Sequence, residues 1–333
     1  MAHRAGPPLG TPAAVLLLAL AGCSTSAAAD DDELRAVTTV APITSITAAV
    51  AGDRATVEGL VPEGTNSHTF QPPPSAAEAL SEADVVFING LKLEDPTKEL
   101  AEANMSDGAR LVEIGTEVLP ESDYIYDFSF PREGGKPNPH LWTDPTYAIA
   151  YAEVVRGTLS DVDPEGADEY AANFASFEEQ ATQLSDAVRA DQESVPAQHR
   201  TLLTYHDAYA YFARTYGWDV VGAIQPENFE DPSPKEVAEL IDQITELDVP
   251  TIFGSEVFPS DALEEIGRAT GARYEDTLRD DDLPGEPGEA EHSWLGLMRY
   301  NYVTMIAGLG GQAPELSALT VAPAVPDEAT YPQ

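Results

Sequence analysis

Segments typical of β-strands and α-helices alternate along the chain, in two series divided by one long amphipathic stretch. In the first series, apolar runs such as residues 35–40 and 84–88 are separated by helical segments such as residues 94–104. Neighbouring strands joined through a helix run parallel, because the crossover helix returns the chain to the edge at which the previous strand began. The alternation therefore predicts an α/β fold built on central parallel sheets.

The second series repeats this pattern, from a strand at residues 200–204 to a last helix at residues 293–310. Between the two series, from Pro164 to Pro196, apolar side chains recur in steps of four and three residues. They are Tyr170, Phe174, Phe177, Ala181, Leu184 and Val188. This spacing places them on one face of a helix of about 30 residues, long enough to run across two lobes. We therefore expect two similar lobes joined by one long, rigid helix.

These patterns divide the 333 residues into six segments. The segments are a signal peptide (1–22), a flexible tether (23–34), an N-terminal α/β lobe (35–160), the linking long helix (161–196), a C-terminal α/β lobe (197–311) and a disordered tail (312–333). The tail is assigned because it is rich in Pro, Ala and Glu.

The N-terminus contains the only cysteine of the chain. Residues 13–21 are all apolar, a run too short to span a bilayer but typical of a secretory signal peptide. The run leads into Leu20-Ala21-Gly22-Cys23, which resembles the bacterial lipobox, whose cysteine is lipidated and becomes the new N-terminus. We therefore expect an exported protein anchored to the outer face of the cell membrane by lipidated Cys23; the alternative is a plain signal peptide cleaved near Ala21. A lone cysteine also excludes an internal disulfide, a cysteine-based zinc finger and an iron–sulfur cluster.

The charge balance excludes a further class of function. Seventeen Lys and Arg stand against 58 Asp and Glu, which gives a formal net charge of −41 at pH 7. Nucleic-acid phosphates and anionic lipid surfaces are both bound by clustered Lys and Arg side chains. We therefore expect no nucleic-acid partner, and no contact with the membrane other than the lipid anchor.

Three histidines, His68, His140 and His206, lie in loops that are predicted to follow strands. Ligands of open α/β sheets collect at the carboxyl ends of the strands, and imidazole is a common ligand of zinc. The separations of 72 and 66 residues do not by themselves establish a metal site, and the local signatures HExxH, GxSxG and GxxxxGK[ST] are absent from the sequence. Of the other histidines, we expect His199 at the surface, and His292 to pack or cap at the start of the last helix.

The surroundings of the three histidines resemble the metal-binding motifs of the zinc- and manganese-type solute-binding lipoproteins of bacterial ABC transporters. Pro-x-Gly-x-x-x-His-x-[Phe/Tyr]-x-Pro matches residues 62–72, and Asn-Pro-His-x-Trp-x-Asp-Pro matches residues 138–145. His-[Asp/Gly]-Ala-[Phe/Tyr]-x-Tyr-[Phe/Leu] matches residues 206–212. With the order of the lobes, the long helix and the lipobox, the resemblance extends over residues 35–311.

The resemblance implies one metal ion in the cleft between the lobes, held by two ligands from each lobe. Three of these ligands would be His68, His140 and His206. The fourth would be an aspartate in a [Thr/Ser]-Asp-[Ser/Thr]-[Leu/Ile] turn after the last strand of the second lobe. We assign it to Asp276, although the sequence departs from that motif at Glu275. The competing residues are Asp280, Asp281 and Asp282.

The resemblance also implies the metal and the partners. Manganese-type relatives tend to have glutamate at the third position, so His206 favours Zn²⁺, with Mn²⁺ as the alternative; imidazole-rich sites of low coordination number suit zinc. The protein would be a monomeric binding protein, not an enzyme, that delivers the metal to an ABC permease and its cytoplasmic ATPase. Asp144, Asp207 and Glu256 are candidates to orient the imidazoles through their second ring nitrogens.

Two other functions are compatible with these residues. An anchored zinc hydrolase would use the three histidines, a metal-bound water and a carboxylate base such as Glu63 or Asp207. A fourth protein ligand would leave no open position for that water. A surface adhesin is the other alternative, although the sequence contains no dedicated adhesive segment.

Overall fold

The computed structural model describes residues 1–3, 6, 34–225, 228–229, 232–247, 249–256, 261–322 and 325–332. The side chains of residues 247, 261, 262, 276 and 277 lie outside this description. Almost all of the predicted signal peptide and tether, including Cys23, also lies outside it. None of the helices in the described ranges is long and apolar enough to cross a bilayer.

The first sheet contains four parallel strands in the order β2-β1-β3-β4. They are β1 (Leu34–Thr38), β2 (Ala55–Gly59), β3 (Val85–Ile88) and β4 (Arg110–Glu113). The helices of this lobe are α1 (Ala41–Ala51), α2 (Ala76–Glu82), α3 (Asp95–Asn104) and α4 (Ile114–Val118). Every residue of β3 is buried, as expected of a central strand in a parallel sheet covered on both faces.

Two long helices follow, α5 (Pro145–Val162) and α6 (Ala167–Asp191). Asp144 caps α5 by accepting a hydrogen bond from the Thr146 N–H at 2.9 Å, and Pro145 occupies the first turn, where no N–H is needed. Helix α6 is flanked by 3₁₀ turns at Pro164–Gly166 and Gln192–Ser194, so helical structure extends over most of the predicted long segment. This confirms the long central helix.

The second sheet contains four parallel strands in the order β6-β5-β7-β8, the same arrangement as in the first. They are β5 (Thr201–Thr204), β6 (Asp219–Ala223), β7 (Thr251–Ser255) and β8 (Arg273–Leu278). The remaining helices are α7 (Ala210–Tyr216), α8 (Pro234–Leu247), α9 (Asp261–Thr270), α10 (Trp294–Gly308) and α11 (Pro314–Ala318). The matching strand orders confirm two similar α/β lobes.

One continuous cluster of buried apolar side chains extends through both lobes. Two buried tryptophans connect them: Trp142 Nε1 donates to the carbonyl of Asp280 at 3.0 Å, and Trp294 Nε1 donates to the carbonyl of Trp142 at 2.9 Å. Buried indole N–H groups need an acceptor, so these bonds define how the two lobes meet next to the cleft.

The secondary structure differs from the sequence prediction at helices α4 and α5 and in the tail. Helices α4 and α5 were not predicted, although the Asp144-Pro145 pair is a recognisable helix start. The described part of the tail is also not disordered as expected: α11 forms within it, and Thr330 pairs with Glu58 of β2. Apolar side chains in the tail, such as Leu316 and Tyr331, are buried against the main core, which provides the free energy that orders this segment.

Candidate metal centre

The structure brings His68, His140 and His206 together, with their Nε2 atoms facing one another. The Nε2–Nε2 distances are 2.9 Å between His140 and His206, 3.2 Å between His68 and His140, and 3.2 Å between His68 and His206. His140 and His206 are buried, whereas His68 is half-buried. Three residues that span 138 positions of the sequence, from His68 to His206, thus form one compact donor set.

Each histidine reaches this point from a different part of the fold. His68 lies in the loop after β2, and His206 follows β5 directly. His140 does not lie just after a strand as expected, because α4 and a long loop separate it from β4. That loop is nevertheless tied to the end of the sheet, since Asn89, which follows β3, donates from Nδ2 to the carbonyl of Pro139 at 3.0 Å.

Two side-chain amides determine which nitrogen of each buried ring carries the proton. His206 Nδ1 lies 2.6 Å from Gln225 Oε1, and His140 Nδ1 lies 2.9 Å from Asn138 Oδ1. The amide nitrogens face acceptors: Asn138 Nδ2 donates to the carbonyl of Asp207 at 2.8 Å, and Gln225 Nε2 donates to the carbonyl of Phe229 at 3.3 Å. The amide oxygens therefore face the rings and can only accept, so Nδ1 is protonated and each Nε2 keeps its lone pair.

All three imidazoles are held in the neutral form. Burial is the main cause that lowers the pKa of each: the pKa of His206 falls to about 4, and those of His68 and His140 fall well below the usual value. Neighbouring rings add to the effect at His68 and His140, because a second positive charge in the cluster is unfavourable. Neutral imidazole is the form that binds a metal ion.

Aromatic rings shield the exposed side of the cluster. Phe229 stacks on His68 with the ring centroids 4.3 Å apart and the planes 5° from parallel, and Phe130 lies 5.4 Å from His68. Trp142 packs edge-on against His140 at 5.0 Å. This apolar surround limits the access of water and hence strengthens electrostatic interactions in the site.

The predicted fourth ligand, Asp276, is not in a turn after the last strand. It lies inside β8, where the register with β7 shifts between Phe253 and Gly254, and its side chain is outside the described part of the structure. The turn that follows the last strand is instead formed by residues 279–283, which we call the acidic turn. The motif match at Asp276 therefore placed the turn too early in the chain.

The acidic turn is held by Glu256, whose Oε1 accepts hydrogen bonds from three consecutive backbone N–H groups. Their donor–acceptor distances are 2.6 Å for Asp280, 3.2 Å for Asp281 and 3.3 Å for Asp282. Burial, followed by the charge of Asp282, raises the pKa of Glu256 to about 8. Glu256 thus shapes the turn and was wrongly expected to orient an imidazole.

The three aspartates of the turn have different surroundings. Asp280 Oδ2 accepts from Ser255 Oγ at 2.9 Å, and Asp282 accepts from the Gly64 N–H through both oxygens at 3.1 and 2.9 Å. Asp281 is buried beside Ser67, whose hydroxyl favours the ionised form of the carboxyl, although burial raises its pKa to about 7. Among the described residues, no carboxylate oxygen comes within 4.8 Å of all three ring nitrogens.

The other two carboxylates predicted to orient the imidazoles make different contacts. Asp144 caps α5 and also accepts from the Thr215 hydroxyl. Asp207 Oδ2 accepts a hydrogen bond from the Ser129 N–H at 3.1 Å and faces Asp127. The pKa of Asp127 is raised to about 9, first by burial and then by the charge of Asp207. Asp207 supports His140 through its backbone carbonyl, which accepts a hydrogen bond from Asn138 Nδ2.

The residues that orient the rings, Asn138 and Gln225, were missed from the sequence. Asn138 is part of the matched motif around His140, so its presence there was a usable signal. Gln225 has none: it lies 19 residues after His206, beyond the end of β6, and only the pairing of β5 with β6 brings them together.

Two further histidines lie outside the cluster. His199 lies in a 3₁₀ turn at Ala197–His199 and is not fully buried. His292 is buried before α10, with its ring edge-on to Tyr331 at a centroid distance of 4.6 Å.

Known proteins resemble this chain over most of its length. The family described as "ZnuA: zinc-uptake complex component A periplasmic" matches residues 36–308. The manganese-binding lipoprotein MntA of Halalkalibacterium halodurans is 29% identical over 302 residues, covering 89% of this chain and 96% of MntA. The iron-binding protein YfeA of Yersinia pestis is 30% identical over 279 residues, covering 84% of this chain and 87% of YfeA.

A solved structure agrees with the fold. The periplasmic zinc-binding protein TroA of Treponema pallidum superimposes with a TM-score of 0.75 at 26% identity, covering 83% of this chain and 99% of TroA. Members of the family are transporter components that bind their substrate and are not enzymes, so the hydrolase alternative is set aside. The two-lobe fold, the three convergent histidines and the match over residues 36–308 lead to one conclusion: the chain belongs to the ZnuA family of metal-binding, substrate-binding proteins of ABC transporters.

Proposed function

We propose that this protein captures Zn²⁺ in the cleft with His68, His140 and His206 and delivers it to an ABC permease coupled to a cytoplasmic ATPase. The observation that carries the proposal is the convergence of three Nε2 atoms, each within 3.2 Å of the other two. Ligands bound tetrahedrally to one zinc ion at about 2.0–2.1 Å are separated by about 3.3 Å. The apposed nitrogen lone pairs repel each other, and a cation between them converts that repulsion into coordination.

We assign the fourth ligand to Asp281 in place of Asp276. Asp281 lies in the turn after the last strand, where the family resemblance expects the ligand, whereas Asp280 is bound by Ser255 and Asp282 by Gly64. Asp281 lies beside Ser67, the residue before His68. Burial raises the pKa of its carboxyl to about 7, so a nearby cation would favour the ionised form strongly. This assignment requires the carboxylate to approach the three rings when a metal binds, since no described carboxylate oxygen lies within 4.8 Å of all three ring nitrogens.

Zinc is proposed over manganese because three imidazoles make the donor set rich in nitrogen. Manganese is the second candidate, since MntA is named as a manganese-binding lipoprotein. The name of TroA as a zinc-binding protein supports the first choice. Export, attachment through lipidated Cys23 and action as a monomer are part of the same proposal; the naming of MntA as a lipoprotein supports the anchor.

The test is competitive titration of a soluble form, residues 24–333, with Zn²⁺ and Mn²⁺ against a chromophoric chelator, with elemental analysis of the bound metal. We expect about one equivalent of Zn²⁺, bound more tightly than Mn²⁺. Replacing His68, His140 or His206 with Ala lowers the affinity at least about tenfold, whereas His199→Ala, outside the cluster, leaves it unchanged. Equal affinity in all four variants contradicts the site, and tighter binding of Mn²⁺ contradicts the choice of metal.

A matched pair of variants tests the fourth ligand. Asp281→Ala is expected to weaken zinc binding at least about tenfold, and Asp276→Ala to change it by less than about twofold. The reverse result would return the assignment to Asp276.

A further inference from the structure

The last residues of the chain run back from the second lobe to the first. Helix α11 is fixed at the end of α6, because the Asp191 carboxylate accepts from the backbone N–H groups of Glu315 and Leu316 at 3.2 and 2.9 Å. Further along, Gln180 of α6 donates from Nε2 to the carbonyl of Ala322 at 2.7 Å. The family match ends at residue 308, so this segment lies beyond it.

The segment 325–332, which we call the strap, then pairs with the free edge of the first sheet. Thr330 N–H donates to the carbonyl of Val57 at 2.9 Å, and Gly59 N–H donates to the carbonyl of Thr330 at 2.9 Å. Strand β2 is bonded to β1 on its other side, so the strap covers an edge that would otherwise be open. Glu63 N–H donates to the carbonyl of Pro332 at 3.2 Å, which extends the contact into the loop that carries His68.

The strap also contacts the second lobe at the same place. Tyr331 is buried edge-on against His292 and donates from its hydroxyl to Asp327 Oδ2 at 2.6 Å. His292 Nε2 lies 3.8 Å from Glu63 Oε1. The neighbouring Gly64 N–H is bound by Asp282 of the acidic turn. The first-lobe loop, the second-lobe turn and the strap therefore meet at Glu63 and Gly64.

We propose that the strap positions the His68 loop against the acidic turn and thereby slows release of the bound metal. This rests on the proposed function, since His68 and Asp281 are taken as ligands from opposite lobes. Opening of the cleft must separate Gly64 from Asp282, and the hydrogen bond from Glu63 to Pro332 on the other side of the loop limits that movement. The strap acts on the site through its hydrogen bonds to the backbone of Val57, Gly59 and Glu63.

The experiment compares Thr330→Pro with Thr330→Ala in the soluble form, residues 24–333. Proline lacks the N–H that binds Val57, whereas alanine keeps it, and the Thr330 side chain is exposed, so the pair differs in the backbone bond. A chain ending at Val325, which lacks nearly the whole strap, is the stronger perturbation. Circular dichroism of each metal-free variant checks that it folds.

Two measurements are made on each variant. Hydrogen exchange of the metal-free protein reports on residues 57–64 whether or not metal binds, and stopped-flow mixing with excess chelator gives the Zn²⁺ dissociation rate. Thr330→Pro is expected to speed exchange in this region and to raise the dissociation rate about fivefold, with Thr330→Ala unchanged. If folded Thr330→Pro shows unchanged hydrogen exchange or an unchanged Zn²⁺ dissociation rate, the proposed role of the strap is wrong. If the unsubstituted protein does not bind zinc, the proposed function is wrong instead. Hydrogen exchange of the metal-free protein then still decides whether the strap holds the loop.

Discussion

Replacement of Gln225 with Leu tests whether the orientation of His206 determines metal affinity. Gln225 is buried, and its Oε1 lies 2.6 Å from His206 Nδ1, which makes it the acceptor that keeps the proton on that nitrogen. Leucine has a similar volume and no acceptor. The substitution removes the acceptor that favours a proton on Nδ1, so the proton can move to Nε2, where it occupies the position of the metal.

The magnitude follows from the removal of one partner of a buried hydrogen bond, which costs about 1–3 kcal/mol. If the cost falls on the metal-binding tautomer, the zinc affinity drops by roughly 5- to 150-fold. This range contains the 10- to 100-fold loss that is typical of changes next to metal-ligating histidines. The substitution also removes the hydrogen bond from Gln225 Nε2 to the Phe229 carbonyl, which loosens the stacking of Phe229 on His68. The loss of zinc affinity is therefore expected in the upper part of this range.

The assay is competitive zinc titration of the soluble form at pH 7.5, combined with ¹⁵N NMR of the His206 ring in the metal-free protein. Gln243→Leu is the matched control, because Gln243 also donates to a backbone carbonyl of this sheet, that of Val221 in β6, and lies outside the cluster. We expect normal affinity for the control and a loss of the Nδ1–H tautomer in Gln225→Leu. An affinity of Gln225→Leu within twofold of the parent would refute the reasoning, as would an unchanged tautomer.

Three other predictions concern pH and location. Burial lowers the pKa of His206 to about 4 and raises that of Asp281 to about 7, so between pH 7.5 and 5 protons compete with zinc at the carboxylate and not at the imidazoles. The affinity should therefore fall over this range in the parent and stay nearly flat in Asp281→Ala, and an equal fall in both proteins would contradict these two pKa shifts. The pKa of Glu256 is raised to about 8 in the folded protein. Above about pH 4.5 the unfolded chain has lost this proton and the folded protein keeps it, so the free energy of unfolding of the metal-free protein falls as the pH rises toward 8. Glu256→Gln should flatten this fall by at most about 1.4 kcal/mol per pH unit in urea unfolding, and an identical slope in both proteins would exclude the explanation. Cys23→Ser should move the protein from the membrane fraction to the soluble extracytoplasmic fraction, and retention in the membrane would count against the lipid anchor.

Sequence patterns were sufficient for the elements whose signals are local. The alternation of strands and helices and the apolar face of α6 depend on residues a few positions apart, and the structure follows both. The motifs around His68, His140 and His206 predicted a cluster of three histidines, and the structure brings these three residues together.

The predicted turn at Asp276 shows where such reasoning fails. The motif at Asp276 depends on the end of a strand, and strand ends are determined by pairing with a neighbour. Strand β8 continues to Leu278 because it pairs with β7 as far as Ser255, and this carries the turn to residues 279–283. A local match of three residues could not reveal that shift.

The sequence by itself determined the α/β class, the long central helix and the three imidazoles, since these follow from periodicity and from side-chain chemistry along short stretches. Tertiary structure alone decided the ring tautomers through Gln225 and Asn138, the form of the acidic turn through Glu256, and the return of the tail to β2. The physical reason is that each of these depends on hydrogen bonds between segments that only packing brings together. The groups that form these bonds are buried and polar, and leaving such a group without a hydrogen bond costs free energy. The arrangement that satisfies all of them is therefore far more stable than the others.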